Sequence, residues 1–376
     1  MSDIIRDLSV ADLTAWVIVV ALNAYVLFGG ADFGGGVWDL FASGPRRDRQ
    51  RSLIANAIGP IWEANHVWLI IVVVLLFVCF PRAFAGLATI LHIPLSLMLV
   101  GIVLRGSAFV FRAYSYGPRA EQRRWGLVFA ISSVITPIVL GICVGAVVSG
   151  DVGRALARID VHGSLPLGIP APAGTGSSPS APVDFLSLYV RPWLMPFAMA
   201  VGGMTLALFS FLAAVYLTVE AAGNAELQDD FRRRAFIAQG ASVATALIAL
   251  AVGAWSGGVM GRLIGTGWSL PLFVASVAAA GVAWTALARR RYRLARLAAG
   301  AQVTLILWGW ALAQFPLIVP PNLTIDAAAA PARVLRETLI VLACGAVVLI
   351  PSLRYLIRVF KGSPGPASDA ASGGGD

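Results

Sequence analysis

Two carboxyl groups within strongly apolar stretches are the residues best placed to do chemistry in this sequence. Asp32 lies in GGADFGGGVWDL (29–40), and Glu63 lies in IGPIWEANHVWLI (58–70). An ionisable group at the centre of a bilayer costs about 2.5–3.5 kcal/mol, so each one calls for a partner or a function. Counted from the loop that joins two antiparallel helices, both residues lie about 13 Å inside. At one depth they can share a proton, because burial and a neighbouring like charge both favour the protonated form.

This pair predicts a proton relay, and it also admits a purely structural interpretation. In the structural interpretation, amides or backbone donors hold the two carboxyls, the candidate amides being Asn23, Asn56 and Asn65. Asp39 and Glu220 fall nearer the cytoplasmic ends of their spans, where an interfacial charge is ordinary. The glycines around Asp32 are small enough to let a neighbouring helix or a lipid-soluble ligand approach the backbone closely.

The histidines and cysteines give little support for a cofactor bound by this chain alone. His66 and His92 fall in adjacent spans and remain an alternative bis-histidine haem site, but the third histidine, His162, lies in a loop. The three cysteines have neither pairing nor metal-ligand spacing. We therefore expect no haem and no metal in this chain, and we keep His66 as a candidate for proton transfer.

The elements that must position these residues are membrane helices. The mean hydropathy is +0.82, and 58% of the residues are hydrophobic while 12% are charged. Such a composition is typical of a polytopic membrane protein, and the fold class is predicted to be all-α. Runs of about 20 apolar residues predict nine spans, near 13–41, 54–80, 83–111, 126–149, 193–220, 235–256, 269–288, 300–319 and 334–358.

Arginine-rich loops predict the orientation of these spans. Every odd-numbered loop is basic, as in 46–51, 119–124, 232–234 and 289–296, whereas the even-numbered loops are short or poor in Arg and Lys. The positive-inside rule places the N-terminus outside and the C-terminus in the cytoplasm, which requires an odd number of spans. The net charge of +9 is explained by this bias, so a nucleic-acid partner is not expected.

The spans predict two four-helix bundles and a peripheral ninth helix. The first bundle occupies 1–149, and an external loop rich in Pro, Gly and Ser follows at 150–184. The second bundle takes 185–319, the ninth helix 320–361, and a disordered tail 362–376.

The two motifs around the acids resemble the signature of subunit II of cytochrome bd-type quinol oxidases. The second motif is the more specific, because a Pro, a Trp, an acid and an Asn precede Val-Trp-Leu-Ile, and VLRGSAFVFR (103–112) resembles the next block of the family. The resemblance is clear over residues 10–150. The resemblance implies that six residues of these motifs pack the helices or contact a partner subunit: Trp62, Asn65, Trp68, Gly34, Gly36 and Arg105.

This resemblance implies a multi-pass subunit of the bacterial inner membrane that completes a haem-bearing subunit I. Subunit I would carry three haems and the quinol site, and the complex would reduce dioxygen to water. Small single-span accessory subunits and a structural quinone are also compatible with the family. Glu63 matches the acid after the Trp and is the residue we expect to deliver protons, with Asp32 and His66 beside it.

Three positions depart from the family pattern. Gly29 stands where the first acid of the glycine-rich motif is expected, and Val110 stands where the third-span block often has an acid. His66 takes the place of a common Gln.

The alternative function from the residues alone is an ion-coupled secondary transporter, which would need matching sites in both halves. The second half has no counterpart of Asp32 and Glu63, which disfavours a transporter.

Overall fold

The structure is a computed structural model that describes residues 8–114, 119–161, 184–256 and 269–362. Within these ranges the side chains of 60–64 and of a few helix ends are outside the description. The membrane helices in chain order are α1 (Val10–Leu40), α2 (Arg47–Cys79), α4 (His92–Tyr114), α5 (Arg119–Val148), α8 (Pro196–Glu220), α9 (Ala225–Ser256), α10 (Ser269–Ala288), α11 (Tyr292–Gln314) and α13 (Ala332–Gly362). The shorter elements are α3 (Pro81–Ile90), α6 (Asp151–Val161), a π-helical turn (Leu186–Val190), α7 (Arg191–Leu194), β1 (Leu317–Val319), β2 (Leu323–Thr324) and α12 (Ile325–Ala328).

The all-α polytopic fold class is confirmed. In the described ranges, eight helices are long and apolar enough to cross a membrane, and nine if a bent helix pair counts as one span. That pair is α2 from Asn65 onward together with α3, which meet at 115°. The orientation of the termini and the grouping into two bundles stay predictions.

The predicted third span at 83–111 is wrong at its beginning. Residues 81–90 form the separate helix α3, and the span itself begins at His92. Pro81 has no backbone N–H to continue the helical hydrogen bonds of α2, and Phe80 leaves the helical region with φ −134° and ψ 60°. The chain therefore turns sharply before it crosses again.

The predicted external loop at 150–184 is wrong for its first part, which is helix α6. Val152, Ala155, Leu156 and Ile159 lie on one face of α6 and are buried in the core. This spacing of three and four residues is that of an amphipathic helix, and it buries enough apolar surface to order the segment. Residues 162–183 lie outside the described part of the chain.

The segment 320–361, assigned to the ninth helix, begins with other elements, while α13 contains the whole predicted span 334–358. Residues 320–331 belong to an antiparallel β1–β2 hairpin and to α12, and α13 begins only at Ala332. The hairpin segment is tied to the end of α2, because the Ala330 N–H donates to the carbonyl of Cys79 at 2.8 Å. The predicted tail, apart from Gly362, is outside the described residues.

Helix α1 is the central element of the fold. It begins with a capping box, in which the Ser9 hydroxyl accepts from the Asp12 N–H and the Asp12 carboxylate accepts from the Ser9 N–H. Along its length α1 packs against α2, α5 and α8. Helix α8 thus brings the second half of the chain directly against the motif-bearing helix.

Candidate functional site

The core of the first half contains a fully buried ion pair between Asp32 of α1 and Arg105 of α4. Arg105 Nη1 lies 2.8 Å from Asp32 Oδ2, and Nη2 lies 2.5 Å from Oδ1 and 3.0 Å from the Asp32 carbonyl. The exposed fraction is 2% for the Arg105 side chain and 0% for that of Asp32. Such a bidentate geometry is the strongest that a guanidinium and a carboxylate can make.

The remaining surface of the Arg105 guanidinium is also satisfied. Its Nε donates to the Ser133 hydroxyl at 3.0 Å, and that hydroxyl donates to the Phe129 carbonyl at 2.7 Å. The rings of Phe33 and Phe129 lie 4.7 and 4.9 Å from the guanidinium carbon, within cation–π distance. The pair therefore fixes α1, α4 and α5 relative to one another.

A second ion pair lies seven residues beyond the first one along both helices. Arg112 donates to the two carboxylate oxygens of Asp39 at 3.0 and 3.1 Å. Because the two Asp residues and the two Arg residues have the same spacing on their helices, α1 and α4 run parallel, with the pairs about 10 Å apart along the axes. Arg51 of α2 adds hydrogen bonds to the Asp39 carbonyl at 3.3 and 3.4 Å. Asp39 is thus buried and paired, where the sequence suggested an interfacial charge.

The motif glycines make the close helix contacts expected of them. A β-carbon on Gly34 would overlap the Phe209 carbonyl of α8, and one on Gly36 would overlap the Ser133 side chain of α5. The backbone of α1 therefore touches two neighbours directly, which brings the first and second halves together.

Gly34→Ala is expected to lower the stability of the protein, because the added methyl meets main chain that cannot move aside. Overpacking of this kind costs about 1–3 kcal/mol, more than the helix propensity gained. Gly240→Ala in α9 is the matched control, since its β position meets nothing within 4 Å. Thermal unfolding of the purified variants measures the difference. A Gly34→Ala protein as stable as Gly240→Ala would contradict this packing.

The backbone of α2 brings the second motif to the level of Asp32. The β position of Gly35 meets Ile58, and that of Gly29 meets the Asn65 amide at 3.0 Å. Residue 63 lies between these two contacts on antiparallel helices, so its backbone is at the depth of Asp32. The side chains of Trp62 and Glu63 lie outside the described residues.

The other motif residues of α2 are polar and lie near the ion pair. Asn65 is 0% exposed, and neither of its amide atoms makes a hydrogen bond within the described structure. The indole N–H of Trp68 likewise has no protein acceptor there. Of the candidates to hold the carboxyls, Asn65 lies beside the Asp32 carboxylate, while among the described residues the bidentate hydrogen bonds to that carboxylate come from Arg105.

The histidines occupy different environments. His66 is half-buried beside α4, whereas His92 is at the first residue of α4, with its Nδ1 2.9 Å from the Thr89 carbonyl and its ring 5.2 Å from that of Tyr189. Among the residues the structure describes, no three His, Cys, Asp or Glu side chains are grouped so as to hold a metal ion.

Sequence reasoning missed a network that joins the two halves at the N-terminal ends of α2 and α9. Arg46 donates to both oxygens of Asp230 at 2.8 and 2.7 Å, Gln50 donates to the same carboxylate at 2.8 Å, and Arg234 donates to Gln50 at 2.7 Å. The hydrogen bond that Arg46 donates to Asp230 raises the pKa of Arg46. The positive-inside rule explains the basic loop residues by orientation alone, and the sequence carries no signal for this pairing.

Together the fold and the site define a polytopic helical membrane protein with a charged core in its first half. The sequence profile described as cytochrome bd terminal oxidase subunit II matches residues 10–360. This chain belongs to the cytochrome bd terminal oxidase subunit II family.

Individual proteins with similar sequences carry the name of the same subunit. Cytochrome bd ubiquinol oxidase subunit 2 of Bacillus subtilis (strain 168) is 31% identical over 134 residues, which cover 36% of this chain and 39% of the relative. Cytochrome bd-I ubiquinol oxidase subunit 2 of Escherichia coli (strain K12) is 28% identical over 149 residues, or 38% of each chain. The alignments thus span less than two-fifths of these relatives.

A solved structure shows the same fold. The structure of bd oxidase from Geobacillus thermodenitrificans superposes with a TM-score of 0.70 and 21% sequence identity. The match covers 95% of this chain and 100% of that chain. The second half of this protein, where the sequence motifs give no resemblance, therefore follows the same path.

Proposed function

We propose that this chain is the haem-free subunit II of a bacterial inner-membrane terminal oxidase that oxidises quinol and reduces dioxygen to water. In this proposal it completes the fold of a haem-bearing subunit I and passes protons from the cytoplasm toward the oxygen site. The haems belong to subunit I, and Glu63 is the proton-transferring acid of this chain.

The observation that carries the proposal is the uneven distribution of buried charge. Among the described residues, every buried charged residue lies in the first half, at Asp12, Asp32, Asp39 and Arg105. The buried polar side chains of the second half are uncharged, such as Gln239 and Gln302. Buried charge is costly in a membrane and marks routes for ions or protons.

This asymmetry disfavours the alternative of a secondary transporter. Transporters built from repeated halves bind their ions at equivalent places in both halves, near the middle of the membrane. The described part of this protein has a charged core in one half only. A subunit that serves a reaction centre in a partner needs no such symmetry.

The outer face of α2 and α4 is the surface that we assign to the partner. Ile70, Val73, Val74 and Phe77 on α2 and Val103 on α4 are exposed and apolar, from 45% to 61%. Acids that serve another subunit's haems must lie beside that subunit, and this face borders the charged core. Cross-linkers placed on α2 near Trp62 should therefore capture a second polypeptide, and capture of lipid alone would contradict the assignment.

Purification from the native membrane tests the proposal. The chain should come with a haem-bearing polypeptide of similar span count, and the Soret absorption should follow that partner when the two are separated. Expressed alone, the chain should be colourless. A Soret band that stays with this polypeptide and disappears in His66→Ala and His92→Ala would show that it binds haem itself.

A further inference from the structure

A groove of about 490 Å³ opens on the membrane-facing surface between α2 and α4. Its α4 wall is formed by small and apolar residues, among them Val103, Gly106, Val110 and Phe111. Val103, Val110 and Phe111 are 56%, 39% and 50% exposed. Among the described side chains of α2, that of His66 lines the groove. The imidazole therefore reaches the face of α2 and α4 that we assign to the partner.

The same imidazole is close enough to the buried core to interact electrostatically with both Asp32 of α1 and Arg105 of α4. Glu63 is three residues earlier on α2, and residues three apart share a helix face. Among the residues whose side chains the structure describes, Asp32 and Arg105 are the charged groups that interact with His66 from the helices packed against it.

Asn65 offers a means of connecting the imidazole with the core. Its amide is completely buried near the Asp32 carboxylate, yet within the described structure neither its oxygen nor its nitrogen makes a hydrogen bond of ordinary geometry. Buried polar atoms in proteins are satisfied by protein or by water. A water that satisfies the Asn65 amide would lie beside the Asp32 carboxylate, one residue along α2 from His66.

We infer that His66 exchanges protons between the charged core of this chain and the groove between α2 and α4. A histidine suits this task because one ring nitrogen can accept a proton while the other releases one, and its ordinary pKa of about 6.5 is near neutrality. Only a proton moves, and no electron is transferred in the step. The inference rests on the proposed function and adds the point at which protons leave this chain.

The pH dependence of quinol oxidase turnover in the assembled complex tests this role. His66→Gln keeps an amide donor and acceptor but cannot titrate near neutrality. We expect this variant to lose the transition that His66 contributes to the pH dependence of turnover, and turnover at neutral pH to fall by about 10-fold or more, as on loss of a positioned acid or base. His92→Gln is the matched control, and its curve should match that of the unmodified complex.

Haem content is measured first, so that loss of assembly is not mistaken for loss of proton transfer. If His66→Gln does not assemble, His66→Glu keeps a titratable group in the groove and should move the transition toward the ordinary Glu value of about 4.3. An unmoved transition in either variant overturns the inference. If Glu63→Gln is impaired while His66→Gln is normal, the inference fails and the proposed function stands. If both variants turn over normally, the proposed function fails as well.

Discussion

Arg105→Met is expected to destabilise the protein by about 3–5 kcal/mol, because it leaves the Asp32 carboxylate buried without a counter-charge. Asp32→Asn should be comparably harmful, since the guanidinium then loses its bidentate partner. The double variant Asp32→Asn/Arg105→Met removes both charges and should recover much of the loss. Thermal unfolding of the purified complexes, analysed as a double-mutant cycle, measures the coupling between the two side chains.

An exposed ion pair provides the control for this cycle. Arg333 and Glu337 are 2.7 Å apart on α13, with 88% and 62% of their side chains exposed. Glu337→Gln should change stability by less than about 1 kcal/mol, because solvent screens such a pair. Single and double variants of the buried pair with equal losses would mean that Asp32 and Arg105 do not stabilise each other.

The second large effect is expected at Glu63. Glu63→Gln preserves the volume and the hydrogen-bonding capacity of the side chain but cannot release a proton. Assembly and haem content should survive, while quinol-driven oxygen consumption per haem falls by about 10-fold or more. Glu63→Asp should retain part of the activity, because it keeps a titratable carboxyl.

Asp32→Asn shows whether Asp32 only affects Glu63 electrostatically or itself carries protons. If Asp32 only shapes the electrostatic environment of Glu63, the complexes that do assemble should turn over faster than those with Glu63→Gln. If both acids lie on the route, the two losses should be comparable. An unchanged turnover in Glu63→Gln would remove Glu63 from the proton route.

The membrane helices were predictable because a run of about 20 apolar residues is a local property of the sequence. The helices predicted near 193–220 and 269–288 appear as α8 and α10. The chain departs from the prediction where a short apolar segment forms a separate element. Helix α3 is apolar enough to resemble the beginning of the third span, and only the sharp bend after α2 distinguishes it.

The members of the candidate site were predictable, whereas their pairing was not. Asp32 and Arg105 stand out by their types and motifs, but 73 residues separate them, and neither motif alone indicates a partner. One signal in the sequence does indicate the pairing. Asp39 and Arg112 follow Asp32 and Arg105 by the same seven residues, the spacing expected of two parallel helices that pair twice.

Time-resolved proton uptake by the assembled complex tests the central claim most directly. The fully reduced complex, incorporated in vesicles with its cytoplasmic side outward, is mixed with dioxygen while a pH indicator in the medium and the haem absorption are followed together. In the Glu63→Gln complex we expect dioxygen to bind the haem at the normal rate and proton uptake from the medium to be slowed by about 10-fold or more. Proton uptake at the rate of the unmodified complex would contradict the claim that this chain conducts protons to its partner.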